Sequence, residues 1–344
     1  MIHDTLNIKS NISDYSVTFV NDLTSITQLI KQSNTILCID KNVYELYPLL
    51  RSDNTYIIDS NETVKTLDGC VELLNYLSTS NANINTKLIA IGGGIVQDLV
   101  SFCASIYCRG IEFILVPTTL LSQADSCIGG KTSINFNDRK NLIGTFYPPS
   151  SIVICTKFVH TLTDLDYISG LGEIFKFHIL QQKIQEFAIN SSIDNMLIDG
   201  LKYKADILSR DEFDKGERKF LNFGHTFGHA LETISNHDIP HGIAVIIGSV
   251  IAVNISIELG YNVSDYDCIL SNAKQLIQQS GIELKKEWFD TNTLLEITKS
   301  DKKSTGELVM VLINETGPFL EIIKNIHILN IILNNTYESI RLYN

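Results

Sequence analysis

The sequence predicts a doubly wound α/β domain followed by a helical one, and three observations predict it. Short apolar runs alternate with stretches of helical periodicity through the first half of the 344-residue chain. Long helix-like segments take over from about Leu162. A run of three glycines, Gly92-Gly93-Gly94, sits where an apolar strand turns into a helix.

Taken in order, the candidate strands are 17–20, 35–39, 55–58, 87–91, 113–116 and 152–155. Several are apolar throughout, as strands covered on both faces of a parallel sheet should be. Segments 70–77 and 96–107 carry helical periodicity between them. Further helices are expected over 164–182, 184–197, 201–209, 226–234, 244–259 and 266–280. The change of character places a domain boundary near 156–162, giving domains 1–158 and 159–344.

Composition narrows the function classes. With 44% hydrophobic and 19% charged residues, the chain can bury a sizeable core and is not of the disordered type. Its formal net charge of -12 repels phosphate backbones and anionic lipid, so neither nucleic acid nor a membrane is expected as a partner. An anionic substrate would have to meet a local cluster of cationic groups. The seven cysteines are scattered and include no CxxC pair, which reads as a reducing compartment. The first residues lack the apolar core of a signal peptide. The most apolar run, 242–253, falls short of the roughly 20 residues a membrane span needs. A cytoplasmic protein is therefore expected.

Three segments carry chemistry. At the glycine turn, backbone N–H groups can approach a pyrophosphate whose charge the helix N-terminus favours. The G-x-G-x-x-G pattern is incomplete, because Gln97 holds the third glycine position, and a tight turn is the competing explanation. Asp40, after an early strand, could accept a ribose hydroxyl or simply cap a helix. In the second segment, His225 and His229 lie four apart and so share a helix face, and His237 and His241 follow. Four of the eight histidines fall in this stretch, which nominates His225, His229 and His241 as metal ligands against capping or core roles. No glutamate follows His225, so this is not HExxH. The third segment, Gly129-Gly130-Lys131-Thr132 with Arg139 and Lys140, gathers cations on a glycine-containing loop. It fails the Walker A spacing, since Asp125 stands where the first glycine belongs. Gripping a phosphate or carboxylate is the alternative to plain surface solvation.

Together these motifs resemble the 3-dehydroquinate synthase family of sugar-phosphate cyclases. The resemblance is dense from about Ile89 to Gly248. It rests on Gly92-Gly-Gly-Ile-Val-Gln-Asp98, Tyr107-Cys-Arg-Gly110 and Val116-Pro-Thr-Thr-Leu-Leu121. It continues through Asp125-Ser-Cys-Ile-Gly-Gly-Lys-Thr132, Lys140-Asn-Leu-Ile-Gly-Thr-Phe-Tyr147 and Gly170-Leu-Gly-Glu-Ile-Phe-Lys176. The run from Arg218 to Ala230, then His241-Gly242 and Asp301-Lys302-Lys303, completes it.

The resemblance implies an N-terminal Rossmann-like parallel-sheet domain that binds NAD and an all-helical C-terminal domain that binds metal and substrate. It implies a homodimer and a metal triad of Glu173, His225 and His241 (zinc or cobalt), which moves His229 from the metal to the substrate phosphate. Substrate-binding and catalytic positions map onto Lys131, Asp125, Asn141, Lys176, Lys204, Arg218, Asn222, His229, Lys302 and Lys303. NAD contacts map onto Glu62, Lys65, Gly94, Ile95, Val96, Gln97, Asp98, Thr118, Thr119, Lys140, Phe158, Val159, His160 and Thr161, with Asp40 and Lys131 as further candidates. The implied reaction closes 3-deoxy-D-arabino-heptulosonate 7-phosphate into 3-dehydroquinate, eliminating phosphate through a transient oxidation that recycles NAD. This is a step of the shikimate pathway to aromatic amino acids. Retention of Arg218 and Asn222 favours a carboxylate-bearing substrate. Three departures stand out: Gln97 for glycine, Phe177-His178 for Tyr-Gly, and Ile243 where the family commonly has glutamate. The last removes a carboxylate near His241, with an expected cost in metal affinity. A sister cyclase of specialised metabolism and an NAD- and metal-dependent polyol dehydrogenase are the alternatives.

Overall fold

A computed structural model describes residues 2–137, 139–188, 192–301 and 308–341. The chain forms two compact units, Met1–Leu162 with Lys204–Phe213, and Thr163–Tyr203 with Asp214–Asn344.

The first unit contains β1 (Ile2–Ile8), β2 (Tyr15–Val20), α1 (Thr24–Ile30), β3 (Thr35–Asp40), α2 (Lys41–Leu46), β4 (Thr55–Ile58) and α3 (Leu67–Thr79). It continues with β5 (Lys87–Gly92), α4 (Gly94–Ile106), β6 (Phe113–Pro117), β7 (Lys131–Phe136), β8 (Arg139–Phe146) and β9 (Ser151–Ile154). Seven strands form one sheet in the order β1-β2-β9-β6-β5-β3-β4. All neighbours are parallel except β1 and β2. The apolar runs of β5 and β6 lie at its centre and are buried nearly end to end, the pattern of strands covered on both faces. From β3 the chain moves to the edge strand β4 and returns to β5 on the other side of β3. That reversal makes the carboxyl ends of β3 and β5 the switch point at which open α/β sheets bind ligands. Asp40 and Gly92 are the last residues of those two strands.

Three strands of this unit were not expected from the sequence. Edge strand β1 pairs on one side, and β7 and β8 form a separate hairpin. Most of β8 is exposed and shows no alternation, so its pairing leaves no periodic signal.

The second unit contains α5 (Asp164–Leu180), the start of α6 (Ile193–Arg210), α7 (His225–Ile234), α8 (His241–Glu258), α9 (Tyr266–Ser280), α10 (Thr291–Asp301) and α11 (His327–Ile340). It is mostly rather than wholly helical, because β10 (Leu308–Asn314) and β11 (Gly317–Ile323) form an antiparallel hairpin. The helix expected over 184–197 is also corrected. A 3-10 turn at Ile184–Glu186 comes first, and α6 then runs unbroken from Ile193 through 201–209. Helix α8 is the core of the unit, with every residue from Gly242 to Val253 buried. A helix apolar all round needs such a position.

Candidate active site

Two glycines set the spacing of the histidine-containing site. A Cβ on Gly172 would lie 2.2 Å from the Gly242 carbonyl oxygen, and one on Gly242 would lie 1.7 Å from that of Ser169. Only glycine allows α5 and α8 to approach backbone to backbone in this way. The close approach places Glu173 of α5 beside His241, the first residue of α8. Their Oε1 and Nε2 atoms are 3.1 Å apart. A similar device holds α7 to α8. Gly224, at φ +78, precedes His225, and its Cβ would meet Ser249 Oγ at 2.5 Å. His225 Nε2 thereby comes within 3.4 Å of Glu173 Oε1.

Glu173, His225 and His241 thus present one carboxylate and two imidazole ligand atoms within 4.8 Å of one another. One carboxylate and two imidazoles with room for a further ligand is a donor set of catalytic zinc-type sites. The surroundings fit an ion. His225 Nδ1 lies 3.1 Å from the Phe223 carbonyl oxygen, which directs Nε2 toward Glu173. Glu173 Oε2 is buried 2.5 Å from Lys176 Nζ yet makes no aligned hydrogen bond. Burial opposes the charge on Glu173, but Lys176 and the imidazoles outweigh it and hold the carboxyl well below the usual carboxylate range. Burial and the Lys176 charge push His225 down, keeping it in the neutral form that ligates metal. Burial also opposes charge on His241, but hydrogen bonds and charges from Glu173 and Glu232 overcome this and push it up to about 10. A metal ion would have to displace that proton.

The pair four apart in sequence does not act as one donor set. Among the described residues His229 falls in a second group, with Glu232 and His241, and no group holds both His225 and His229. His229 and Asn222 are exposed, whereas Arg218 is buried in the 3-10 turn Glu217–Asn222. Lys302 and Lys303 lie outside the described residues. Ile243 is wholly buried in the α8 core, and Phe177 and His178 are buried on α5. Sequence reasoning gave Glu232 no role. Its spacing of seven from His225 put it on the same helix face, a signal that was available.

In the first unit, Gly93 caps α4 without a side-chain bond, so the helix N-terminus is not closed by a side chain. A Cβ on Gly94 would find only Ser126 Oγ, at 3.9 Å, which leaves the backbone open to close approach. These features suit a pyrophosphate. Gln97 is buried and accepts a hydrogen bond from Ser126 Oγ at 2.9 Å. The side chain in place of the third glycine therefore ties α4 to the turn that follows β6. Asp40 caps α2, with Oδ1 accepting from the Val43 N–H at 3.0 Å and Oδ2 from Ser60. The capping role weighed from the sequence thus accounts for its carboxylate.

Lys65 gathers several more of the candidates. It lies 2.5 Å from Asp98 Oδ2 and donates to Asn141 Oδ1 at 2.6 Å. Asn135 joins the network, its side chain accepting from the Asn141 N–H at 3.0 Å and donating to Glu62 at 2.7 Å. Burial pushes the Asp98 carboxyl up despite Lys65. Elsewhere in this unit Lys204 Nζ lies 2.9 Å from Asp125 Oδ1. Lys131, Lys140, His160 and Thr161 are exposed, while Thr118 and Val159 are buried and Thr119 half-buried. Phe158 packs edge-on against Tyr47 at 5.1 Å in the core, so its side chain has a structural task.

Residues 55–169 match the model of the 3-dehydroquinate synthase N-terminal domain, and residues 170–304 match that of the C-terminal domain. The chain belongs to the 3-dehydroquinate synthase family. A 3-dehydroquinate synthase from Alkaliphilus oremlandii is 34% identical over 317 residues, covering 87% of this chain and 86% of its own. One from Streptococcus pyogenes serotype M49 is 31% identical over 335 residues, covering 91% and 93%. Among solved structures, a 2-deoxy-scyllo-inosose synthase complexed with carbaglucose-6-phosphate, NAD+ and Co2+ aligns with a TM-score of 0.81. It is 21% identical, over 96% of this chain and 99% of that one. The 2-epi-5-epi-valiolone synthase of Streptomyces hygroscopicus, with NAD+ and Zn2+ bound, gives 0.79 at 21% identity over 97% and 99%. At that identity the likeness speaks for the fold.

Proposed function

We propose that this chain works as a 3-dehydroquinate synthase, cyclising the seven-carbon keto-acid phosphate with elimination of phosphate. The observation that carries the reading is the Glu173–His225–His241 group in a chain matched by both halves of the family model. Glu173, His225 and His241 would hold a zinc or cobalt ion. Gly94 to Asp98, with Glu62, Lys65, Thr118, Thr119 and Lys140, would hold NAD at the switch point beside β5. When bound, NAD supplies reversible hydride transfer at one substrate carbon and the metal supplies Lewis acidity at its oxygen.

The protein's own groups have binding and orienting tasks. Arg218 pairs with the substrate carboxylate in a forked geometry. Lys131, Asn141 and Lys204 would bind phosphate, and the resemblance gives His229 and Lys302 or Lys303 the same task. Asn222 and Asp125 orient hydroxyls. Lys176 neutralises Glu173, so the ligand set keeps its carboxylate ionised in a buried place. We further read the protein as cytoplasmic and homodimeric, divided functionally at about residue 158.

One assay tests the reading: the keto-acid phosphate with NAD and zinc or cobalt. Phosphate release without net NADH is expected. Stoichiometric NADH would assign the chain to the polyol dehydrogenases instead. Phosphate released only from a neutral sugar phosphate would make it a sister cyclase.

A further inference from the structure

Glu232 sits near the end of α7, outside the Glu173–His225–His241 group. Its carbonyl oxygen is tied down twice, by the His237 N–H at 2.8 Å and by Ser235 Oγ at 3.1 Å. Its Oε2 lies 3.0 Å from His241 Nδ1. The other nitrogen of the same ring, Nε2, is 3.1 Å from Glu173 Oε1. His241 is therefore gripped at both nitrogens, and its two faces are chemically distinct. Glu173 has 1% of its side chain exposed and Glu232 14%, so the ring spans from a buried carboxylate to a more open one.

We propose that Glu232 is a positioning residue of the metal centre: it accepts the Nδ1 proton of His241 and so fixes the Nε2 lone pair on the ion. The inference rests on the metal reading given above. A carboxylate behind a ligating imidazole fixes both tautomer and ring orientation, and raises the basicity of the ligating nitrogen. His225 has the equivalent support from a backbone carbonyl, that of Phe223. The group of His229, Glu232 and His241 is then no second ion site. It shares its only common imidazole with the first group, through the nitrogen that the first group leaves over. Glu232 also supplies a carboxylate behind the ligand that the apolar side chain of Ile243, buried in α8, does not.

The test is metal affinity of the full chain, stripped with chelator and titrated with Zn2+ against a chromophoric competitor. Glu232→Ala should bind about 10–100-fold more weakly than the wild type. Glu232→Gln, which keeps an acceptor oxygen without the charge, should fall between them. Unfolding of the metal-free variants by urea checks that the fold is kept. Nitrogen chemical shifts of His241 should report a single Nδ1–H tautomer in the wild-type zinc form and a mixture in Glu232→Ala. Unchanged affinity and tautomer in a folded Glu232→Ala would overturn the proposal. So would two equivalents bound by the wild type and one by the variant, which would make Glu232 a ligand of a second ion. If Glu173→Ala and His225→Ala also leave affinity unchanged, the metal reading itself falls. If they abolish it while Glu232→Ala does not, only the role of Glu232 falls.

Discussion

Replacing Gly242 by alanine probes whether helix spacing, rather than ligand identity alone, makes the metal centre. The added Cβ would lie 1.7 Å from the Ser169 carbonyl oxygen and 2.5 Å from its carbon, against 3.4 Å for ordinary contact. Both atoms are backbone, so α5 and α8 must separate locally by roughly 1.5 Å. The shift adds to the 3.1 Å between Glu173 Oε1 and His241 Nε2, because each ligand is close in sequence to the collision. Metal sites tolerate departures of only about 0.2 Å in their bonds. Overpacking of this kind costs about 1–3 kcal/mol, and alanine returns at most about 1 kcal/mol of helix propensity. The Gly242 N–H bond to Ser169 Oγ, 3.0 Å long, is strained as well. Its loss adds about 1 kcal/mol. A net loss of about 1–3 kcal/mol is expected by urea unfolding of the metal-free protein. Zinc affinity should fall by more than about 100-fold, beyond the effect of losing an outer partner. Gly228→Ala provides the scale. Its Cβ would stand 3.2 Å from the Ala244 carbonyl oxygen, so its losses should be well under half as large. Wild-type stability and zinc affinity in Gly242→Ala would refute the reasoning.

Removal of His225 should abolish tight metal binding, whereas removal of His229 should leave it within about threefold, by elemental analysis and chelator competition. Loss in both variants would restore the ligand pair suggested by their spacing. Arg218→Ala should raise KM for the acid substrate by about 10–100-fold, equivalent to losing a charge-assisted bond of about 1.5–3 kcal/mol. Unchanged kinetics would remove Arg218 from carboxylate binding. His178 is buried with its Nδ1 2.8 Å from the Ile174 carbonyl oxygen, and burial pushes the imidazole down. The unfolded chain therefore binds the proton more readily than the folded one. Its contribution to stability is complete above about pH 6.5 and is lost as pH falls below that, by at most about 1.4 kcal/mol per pH unit. His178→Gln should flatten that part of the stability profile, and an unchanged slope would refute the assignment.

The sequence by itself determined the central strands, because β3, β5 and β6 are buried on both faces and the residues between their ends are apolar. It also marked the strand-to-helix glycine turn and the family, through motifs whose order along the chain carries the information. Strands paired on few sides left no such trace. β8 is mostly exposed, and the β10–β11 hairpin stands in a stretch otherwise read as helical. At the site, spacing along one helix could relate His225 to His229, since both lie on one face. It could not relate either to Glu173, which lies on another helix, and only the resemblance named it. The tertiary structure decided that grouping through contacts with no local signature, the glycine approaches of α5 and α7 to α8. It likewise placed Glu232 behind His241, where the sequence offered only an unassigned carboxylate two helical turns beyond His225. Periodicity reports which face of a segment is buried. Which groups meet across two such faces depends on how closely the backbones can approach, and at this site glycine sets that distance.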